Sequence, residues 1–273
     1  MTEPLHNRFD LTGRVAVITG GTGLLGLQHA AAIAGAGGIP VLADIRQIDQ
    51  SEVLEKLGPQ ACSLQVDITS STEVQSLLDD VLARFNRVDI LINNAANNPK
   101  VESPGDLEKS RLEHFPLEQW LADLNAGLTG AFLCSQVIGS EMARRKCGVI
   151  VNIASDLALI GPDQRLYRKE GLREDQQPVK PVSYSVVKTG LIGLTRYLAT
   201  YWAADGVRVN SISPGGVFNG QPQPFLDRIS QLIPLGRMAD ITEYEGALLF
   251  LCSDASSYMT GANLVIDGGR SCW

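Results

Sequence analysis

Residues 14–26 read RVAVITGGTGLLG: a short apolar run, a glycine-rich turn and the start of an alanine-rich segment. Glycine allows a tight turn and a close approach of backbone to ligand, and a helix N-terminus offers free N–H groups to phosphates. A strand, such a turn and a helix in this order predict a dinucleotide-binding unit, with a tight turn that binds nothing as the alternative. The expected phosphate-binding residues are Gly20, Thr22, Gly23, Leu24, Leu25 and Gly26.

The next apolar run ends at Asp44, 24 residues beyond Gly20. A carboxylate at this position can accept both ribose hydroxyls of an adenosine and repels a 2′-phosphate, so NAD is favoured over NADP. Ile45 is expected to lie beside the same adenosine. Arg46 is close enough to alter the preference, and Asp44 could instead cap a helix.

Short apolar runs alternate with longer helical patterns along the whole chain. The runs are continuous, which is typical of strands buried on both faces of a parallel sheet. Repeated βα units with right-handed crossovers predict an α/β, doubly wound parallel sheet with helices on both faces, a Rossmann fold. The predicted strands are 14–19, 39–43, 61–66, 88–92, 148–153, 207–212 and 263–266.

Seven segments have helical spacing, and in the fifth the packed face is predicted to contain Val187, Leu191, Leu194, Leu198 and Tyr201. No linker divides the chain, so residues 1–273 are predicted to form a single domain. Two long stretches, at about 97–116 and 159–182, are predicted insertions that break the alternation of strands and helices. Loops of this length are usually functional. The predicted helices are about 24–36, 49–57, 71–85, 117–146, 183–204, 222–233 and 241–252.

Composition excludes several classes of function. A net charge of −7 and no basic stripe disfavour a nucleic-acid partner. Five scattered cysteines without CxxC spacing argue against a disulfide framework and a metal site. No signal-like segment and no run of about 18 apolar residues is found, so we expect a soluble, cytoplasmic protein without a membrane partner.

Tyr184 and Lys188 lie four residues apart on a predicted helix, one turn apart on one face. A free tyrosine has a pKa near ~10, and a neighbouring ammonium lowers that pKa. Tyr184 could then exchange a proton with an alcohol or a carbonyl. On its own the pair is weak, because a solvated lysine beside a partly buried tyrosine would look the same.

The whole chain resembles the compact, single-domain branch of the short-chain dehydrogenase/reductase family. The resemblance rests on motifs that occur in the family's order between Thr19 and Gly269. They are the TGGTGLLG turn, Asp44, Asp67-Ile68, Asn93-Asn94-Ala95-Ala96, Asn125, Ser155 in VNIAS, Tyr184/Lys188, Pro214-Gly215-Gly216-Val217 and Ile266-Asp267-Gly268-Gly269.

The resemblance implies an oxidoreductase that transfers a hydride between NAD(H) and a secondary alcohol or ketone. Ser155 would hold the substrate oxygen, Tyr184 would be the acid/base, and Lys188 would lower its pKa and bind the nicotinamide ribose. Asn125 would hold a water on the proton path. Asp67 and Ile68 would meet the adenine, and the further cofactor contacts would come from Asn94, Ala95, Pro214, Gly215 and Val217.

The chain departs from the family pattern in three places. Leu24 replaces the middle glycine, while Gly23 creates the GxxGxxG spacing of a longer, sugar-nucleotide-modifying branch. Ala96 replaces a usual glycine. Ser155 and Tyr184 are 29 residues apart, farther than is usual, so the role of Ser155 requires that the intervening segment loop out.

The substrate is expected to be sugar-derived or otherwise polar. The 159–182 insertion resembles that of members linked to bacterial surface-sugar and flagellin-glycan pathways, and its basic residues could bind a phosphate or carboxylate or pair with neighbouring acids. By analogy, about 218–240 would be the substrate lid. The family also implies a homo-oligomer, a tetramer or dimer. The alternatives are a 3-oxoacyl thioester reductase, a non-catalytic dinucleotide-binding sensor and, from the GxxGxxG spacing alone, a sugar-nucleotide epimerase.

Overall fold

A computed structural model describes residues 5–97 and 109–273 of the chain. Seven parallel strands form one sheet in the order β3-β2-β1-β4-β5-β6-β7. The predicted doubly wound α/β fold is confirmed. The strands are β1 (Val15–Thr19), β2 (Ile39–Asp44), β3 (Cys62–Gln65), β4 (Ile90–Asn93), β5 (Gly148–Ile153), β6 (Val207–Pro214) and β7 (Asn263–Ile266).

Eight α-helices flank the sheet within the described residues. The predicted segments are all present, with ends that differ by one to four residues where a short 3₁₀ turn precedes or follows. The helices are α1 (Leu24–Gly35), α2 (Gln50–Leu57), α3 (Ser71–Phe85), α4 (Leu117–Leu124), α5 (Gly130–Arg144), α6 (Val182–Tyr201), α7 (Gln223–Ser230) and α8 (Glu245–Cys252).

The helices begin and end where local chemistry dictates. The Ser70 hydroxyl accepts the Glu73 N–H (3.3 Å) at the start of α3, which satisfies one of the N–H groups that a helix start leaves unpaired. Asn86 ends α3 in the left-handed conformation at φ 55°, a common helix terminator. The Asp49 carboxylate caps α2 through the Ser51 N–H (2.8 Å).

Two apolar cores lie on opposite faces of the sheet. Alternate residues of β1 separate into them, because side chains of a strand point to opposite faces. Val15 and Val17 contact the core formed by α3, α5 and α6, while Ala16 and Ile18 contact the core formed by α1 and α8. Every residue of β1, β2, β4 and β5 is buried.

Strand order reverses between β1 and β4, because β1 pairs with β2 on one side and with β4 on the other. In open parallel sheets the ligand cleft lies at this reversal, beyond the carboxyl ends of the strands. The chain leaves β1 at Thr19, β4 at Asn93 and β5 at Ile153. The residues that follow these three strands therefore meet at one edge.

The predicted helix 117–146 is present as one helix, Leu117–Arg144. Residues Asn125–Thr129 form a π turn within it, between α4 and α5, and such turns are frequent at functional sites. Tyr201 was wrongly assigned to the packed face of α6. It is exposed and stacks on Tyr197 with 5.8 Å between ring centroids, whereas Val187, Leu191 and Leu198 are buried.

The segment Leu117–Arg144 is long and apolar enough to cross a membrane by length and composition. It nevertheless packs in this fold, since Cys134, Ile138 and Met142 are fully buried against the sheet. The polar π turn also lies within it. The segment therefore behaves as a core helix of the domain.

The structure describes only part of the first insertion and all of the second. Most of 97–116 falls on residues 98–108, outside the described part of the chain. The 159–182 segment contains two short 3₁₀ turns, Gln164–Tyr167 and Glu174–Gln176. Its Leu166 packs against Ile229 and Ile233 in a small third core.

Ile138→Ala is predicted to reduce the free energy of unfolding by about 2–5 kcal/mol, because it opens a cavity between α5 and the sheet. Urea unfolding of the wild type and the variant would measure the loss. Gln136→Ala on the exposed side of α5 is the matched control, with an expected change within about 0.5 kcal/mol. Equal losses in both variants would contradict the burial of this helix.

Candidate active site

Close contacts in the turn after β1 leave room only for glycine at positions 20, 21 and 26. Gly20 has φ +61°, and a Cβ there would lie 2.9 Å from the Cα of Ala95. A Cβ on Gly26 would lie 2.2 Å from the carbonyl oxygen of Gly20. Gly23 precedes α1 and has no side chain, so the first N–H groups of the helix have no side-chain cap. The free N–H groups and the close-packed glycine backbone fit a pyrophosphate at this helix start.

Asn94 holds the glycine turn against β4. Its side-chain amide donates to the carbonyl oxygens of Thr19 (3.0 Å) and Gly20 (3.2 Å). The Thr19 hydroxyl accepts the N–H groups of Asn94 (3.0 Å) and Ala95 (3.1 Å). The predicted cofactor residues Asn94 and Ala95 thus lie directly beside the turn.

Asp44 ends β2 with a buried carboxylate that faces the glycine turn. The carboxylate accepts the Thr22 hydroxyl (2.7 Å), the Thr22 N–H (3.1 Å) and the Arg46 N–H (3.0 Å). Burial opposes ionisation, but these hydrogen bonds outweigh it and lower the pKa of Asp44. The resulting anion fits ribose hydroxyls and repels a 2′-phosphate.

Two of the residues expected to contact the cofactor expose apolar side chains. They are Leu24, the first residue of α1, and Ile45, which follows β2. Ile68 is buried and packs against Gly130. A Cβ added to Gly130 would lie 2.6 Å from the Cδ1 atom of Ile68. The Asp67 carboxylate accepts the Thr69 N–H (2.9 Å) and hydroxyl (2.7 Å).

Ser155 follows β5, and the structure brings it to Tyr184 despite the long intervening segment. The Ser155 hydroxyl lies close enough to the Tyr184 phenol to lower its pKa. It also bonds to the Asp156 carboxylate (2.8 Å) and accepts the Leu157 N–H (3.2 Å). The requirement that residues 159–182 loop out is therefore met.

Asp156 forms a buried ion pair with the C-terminal segment. One carboxylate oxygen accepts the Arg270 guanidinium at 2.7 Å, and both side chains are less than 10% exposed, at 8% and 4%. The other oxygen accepts the Ser155 hydroxyl and the Leu157 N–H (2.8 Å). This ion pair orients the group that bonds to Ser155.

Lys188 is buried on α6, and its ammonium donates to the Ile153 carbonyl at 2.7 Å. The nitrogen lies 5.8 Å from the centroid of the Tyr184 ring. Burial, together with the nearby Lys180, lowers the pKa of Lys188 to about 8. Burial raises the pKa of Tyr184, and the nearby Ser155 hydroxyl partly opposes that increase.

Lys180 approaches the same phenol from the insertion. Its Nζ lies 3.8 Å from the centroid of the Tyr184 ring. Burial lowers its pKa to about 8, and the nearby Asp156 and Asp123 oppose the decrease. Two lysines therefore surround Tyr184, where sequence analysis predicted one.

The predicted water-binding residue Asn125 begins the π turn and is exposed. The turn packs closely on α6, since a Cβ on Gly127 would lie 2.5 Å from a methyl carbon of Val187. A buried amide network joins β4, β5 and α6. The Asn152 side chain accepts from Asn93 (2.8 Å) and donates to the Thr195 hydroxyl (2.8 Å).

The turn after β6 closes the site opposite the glycine turn. Gly215 donates its N–H to the Ile266 carbonyl (2.8 Å), and its own carbonyl accepts the Tyr244 hydroxyl (3.0 Å). Val217 forms a bridge with Ala239. Pro214 ends β6 directly before this turn.

Sequence analysis missed three charged groups beside the catalytic pair. Asp156 and Arg270 carry no spacing signal, because they are 114 residues apart. Lys180 was considered only as part of a charged loop. Its position four residues before Tyr184 is a signal, but it becomes meaningful only once α6 is known to begin at Val182.

The three arginines of the insertion pair with neighbouring acids. Arg165 bonds to Asp163 (2.7 Å), Arg168 to Glu174 (2.6 Å), and Arg173 to Asp175. The two alternatives for these arginines were binding of a phosphate or carboxylate and pairing with neighbouring acids. The structure shows the pairing with neighbouring acids.

The cysteines form no site. All five are free, and Cys62, Cys134 and Cys252 are buried. Over residues 5–97 and 109–273, no group of three or more His, Cys, Asp or Glu side chains could hold a metal ion.

Comparison with known protein families identifies the family to which the chain belongs. The family model described as "short chain dehydrogenase" matches residues 14–167, and the model described as "Enoyl-(Acyl carrier protein) reductase" matches residues 174–271. The chain belongs to the short-chain dehydrogenase/reductase family. Both matched parts lie within the single doubly wound domain of this dehydrogenase/reductase.

Known relatives of this dehydrogenase/reductase act on polyols by name. A D-threitol dehydrogenase of Mycolicibacterium smegmatis is 33% identical over 269 residues, covering 96% of this chain and 94% of the relative. An NAD-dependent glycerol dehydrogenase of Listeria innocua is 33% identical over 270 residues, covering 96% and 95%.

A solved structure of a similar protein contains a bound cofactor. A short-chain dehydrogenase from Leptospira borgpetersenii with bound NAD+ has 28% identity and a TM-score of 0.83, covering 99% of this chain and 97% of that one. With the glycine turn and Asp44, the comparisons identify this chain as an oxidoreductase that transfers a hydride between NAD(H) and an alcohol or ketone of a small molecule.

Asp44→Ala is predicted to narrow the preference for NAD over NADP by about tenfold or more, because the repulsion of the 2′-phosphate is lost. Dissociation constants for NADH and NADPH, measured by fluorescence, would show the change. Asp49→Ala, a helix cap outside the glycine turn, is the control and should leave the ratio unchanged. A wild-type preference for NADPH would contradict this role of Asp44.

Arg270→Met is predicted to reduce the free energy of unfolding by about 3–5 kcal/mol, because it leaves the Asp156 carboxylate buried without its cation. Arg165→Met removes an exposed pair and should cost at most about 1 kcal/mol. Urea unfolding compares the two variants, and the double variant Arg270→Met/Asp156→Asn should recover part of the loss. Equal effects of the two single variants would refute the importance of the buried pair.

Proposed function

We propose that Tyr184 is the acid/base of an NAD-dependent oxidation of a secondary alcohol on a polyol or other sugar-derived substrate. The observation that supports this most directly is the position of the Lys180 and Lys188 ammonium groups, 3.8 and 5.8 Å from the centroid of the Tyr184 ring, with the Ser155 hydroxyl near the same phenol. The polyol dehydrogenases among the relatives support the substrate class.

Tyr184 would move the proton. The glycine turn and Asp44 would hold NAD, which would supply hydride acceptance at the carbinol carbon in the oxidative direction. The Tyr184 phenolate takes the hydroxyl proton as the carbonyl forms, and in the reverse direction the phenol returns it. Burial raises the pKa of Tyr184, so nearby cations are needed to stabilise the phenolate near neutral pH.

Lys188 would supply one of these cations and hold the nicotinamide ribose. Its bond to the Ile153 carbonyl orients the ammonium at the end of β5. Ser155 would donate to the substrate oxygen and stabilise the charge that develops there. In the free enzyme the Ser155 hydroxyl bonds to Asp156, so substrate binding would exchange this partner for the substrate oxygen.

Asn125 would hold a water that connects Lys188 to solvent. Its exposure and its position at the start of the π turn support this role. The adenosine would lie between Asp44, Ile45 and Asp67-Ile68, and the pyrophosphate would lie on the glycine turn. The nicotinamide would contact the turn at Pro214, Gly215 and Val217.

The substrate would enter beside the 159–182 insertion. The segment at about 218–240 would cover it as a lid, since α7 packs on the insertion: Arg228 donates to the Arg168 carbonyl (2.7 Å), and the rings of Phe225 and Tyr167 are 5.9 Å apart. A carrier-bound acyl thioester, the alternative that one family model name suggests, needs a basic docking surface, whereas three arginines of the insertion are already paired.

The enzyme would act in the cytoplasm as a homo-oligomer. Five free cysteines suit a reducing compartment. Exposed apolar and aromatic side chains on α4, α5 and α6 form a face suited to a second copy of the chain. They are Leu117, Leu121, Phe132, Val186, Tyr197 and Tyr201.

Tyr184→Phe is predicted to reduce turnover by about 10²–10⁴-fold while NADH binding changes little, because only the proton-transfer group is lost. A screen of polyols and sugar derivatives with NAD, read by NADH absorbance, identifies the substrate, and the variant is then compared on it. Tyr258→Phe, fully exposed, is the control. Turnover retained in Tyr184→Phe would refute the acid/base assignment.

A further inference from the structure

Lys180 is placed on the face of the reacting phenol by the insertion. Its backbone N–H donates to the Gln164 side chain at 2.8 Å, which fixes the strand-like segment before α6. Pro181, with φ −54° and ψ 137°, then precedes the first turn of α6. The Lys180 ammonium consequently lies 3.8 Å from the Tyr184 ring centroid, closer than the 5.8 Å of Lys188.

We propose that Lys180 is a second cation that stabilises the Tyr184 phenolate, so that the 159–182 insertion contributes a positioning residue to proton transfer. The proposal rests on the proposed acid/base role of Tyr184. A cation over an aromatic face is attracted by the ring quadrupole, and the attraction becomes much larger once the phenol is ionised.

The other groups around Tyr184 do not replace this cation. Asp156 opposes phenolate formation, but Arg270 pairs with it at 2.7 Å. Tyr167 stays neutral, because burial raises its pKa to about 12. Lys188 is the remaining cation, and Asp123, which favours the charged form of Lys180, lies in the same neighbourhood.

The two lysines and the tyrosine titrate as a coupled group. Burial and the neighbouring ammonium lower the pKa of Lys188 to about 8, and burial lowers that of Lys180 to about 8. Both amines are therefore charged below about pH 8 while the phenol is neutral. Formation of the phenolate in turn favours both ammonium ions, because an adjacent anion raises their pKa values.

The expected size of the effect follows from Coulomb's law. A unit charge at roughly 5 Å, with an effective dielectric constant of about 20, corresponds to roughly two pH units. Water entry and motion of the lysine reduce this, so we expect a shift of about one pH unit in the ionisation of Tyr184.

The first test needs no substrate. Tyrosinate absorbance is titrated in wild type and in Lys180→Met, and the corresponding curves of Tyr184→Phe and Tyr184→Phe/Lys180→Met are subtracted to isolate Tyr184. Lys180→Met should move the midpoint to higher pH by about one unit. Lys180→Arg keeps a cation and should restore most of the shift. Lys169→Met, which removes an exposed lysine of the same insertion, should leave the midpoint unchanged.

The second test uses the alcohol found in the NAD screen. The pH profile of kcat for Lys180→Met should move to higher pH, with turnover about tenfold lower below the midpoint and close to wild type on the alkaline plateau. A role in packing alone would lower kcat equally at every pH and would not be rescued by arginine. Lys180→Gln is measured in parallel, so that the result does not depend on the folding of one variant.

The outcomes separate the two proposals. An unchanged Tyr184 midpoint in Lys180→Met and Lys180→Gln, with normal circular dichroism, overturns the role of Lys180 and leaves the acid/base role of Tyr184 intact. Full turnover in Tyr184→Phe overturns the acid/base role, whatever the titration shows. A shifted midpoint that arginine restores and Lys169→Met does not reproduce supports the proposal.

Discussion

The hydrogen bond from the Lys188 ammonium to the Ile153 carbonyl, at 2.7 Å, is the interaction on which the site depends. It fastens α6 to the end of β5, where Ser155 follows two residues later. The Thr195 hydroxyl, two turns further along the same helix, accepts from the buried Asn152 amide, which in turn accepts from Asn93, and this network holds the helix to the sheet. A helix that could rotate or slide would move Tyr184 away from Ser155 and from the end of β5.

Burial has opposite effects on the two kinds of group in this site. It raises the pKa of the phenol and lowers the pKa of both lysines, so burial disfavours the charged form of all three groups. Ionisation of the phenol is favourable only with cations next to it. Asp156 opposes that ionisation, and the Arg270 guanidinium paired with it at 2.7 Å offsets part of its charge. The long insertion, which separates Ser155 from Tyr184 in sequence, also places the Lys180 ammonium over the ring of that tyrosine.

Much of the fold was predictable, because its signals are local. Continuous apolar runs predicted all seven strands, and the glycine turn and Asp44 predicted the cofactor end. Their steric and electrostatic requirements are imposed by neighbouring backbone. The π turn at Asn125–Thr129 and the exposure of Tyr201 were not predictable in this way. Apolar periodicity does not distinguish a helix with one extra residue in a turn from a regular one, nor a core face from an exposed face.

The sequence by itself determined the order of strands and helices, the glycine positions and the four-residue spacing of Tyr184 and Lys188. These depend on steric limits and helical geometry that act over a few residues. Only the tertiary structure decided that Ser155 meets Tyr184 across 29 residues, that Asp156 pairs with Arg270, and that Lys180 lies over the phenol ring. Contacts between distant residues depend on how the loops close and on which charges burial forces to pair, and neither is set by local sequence.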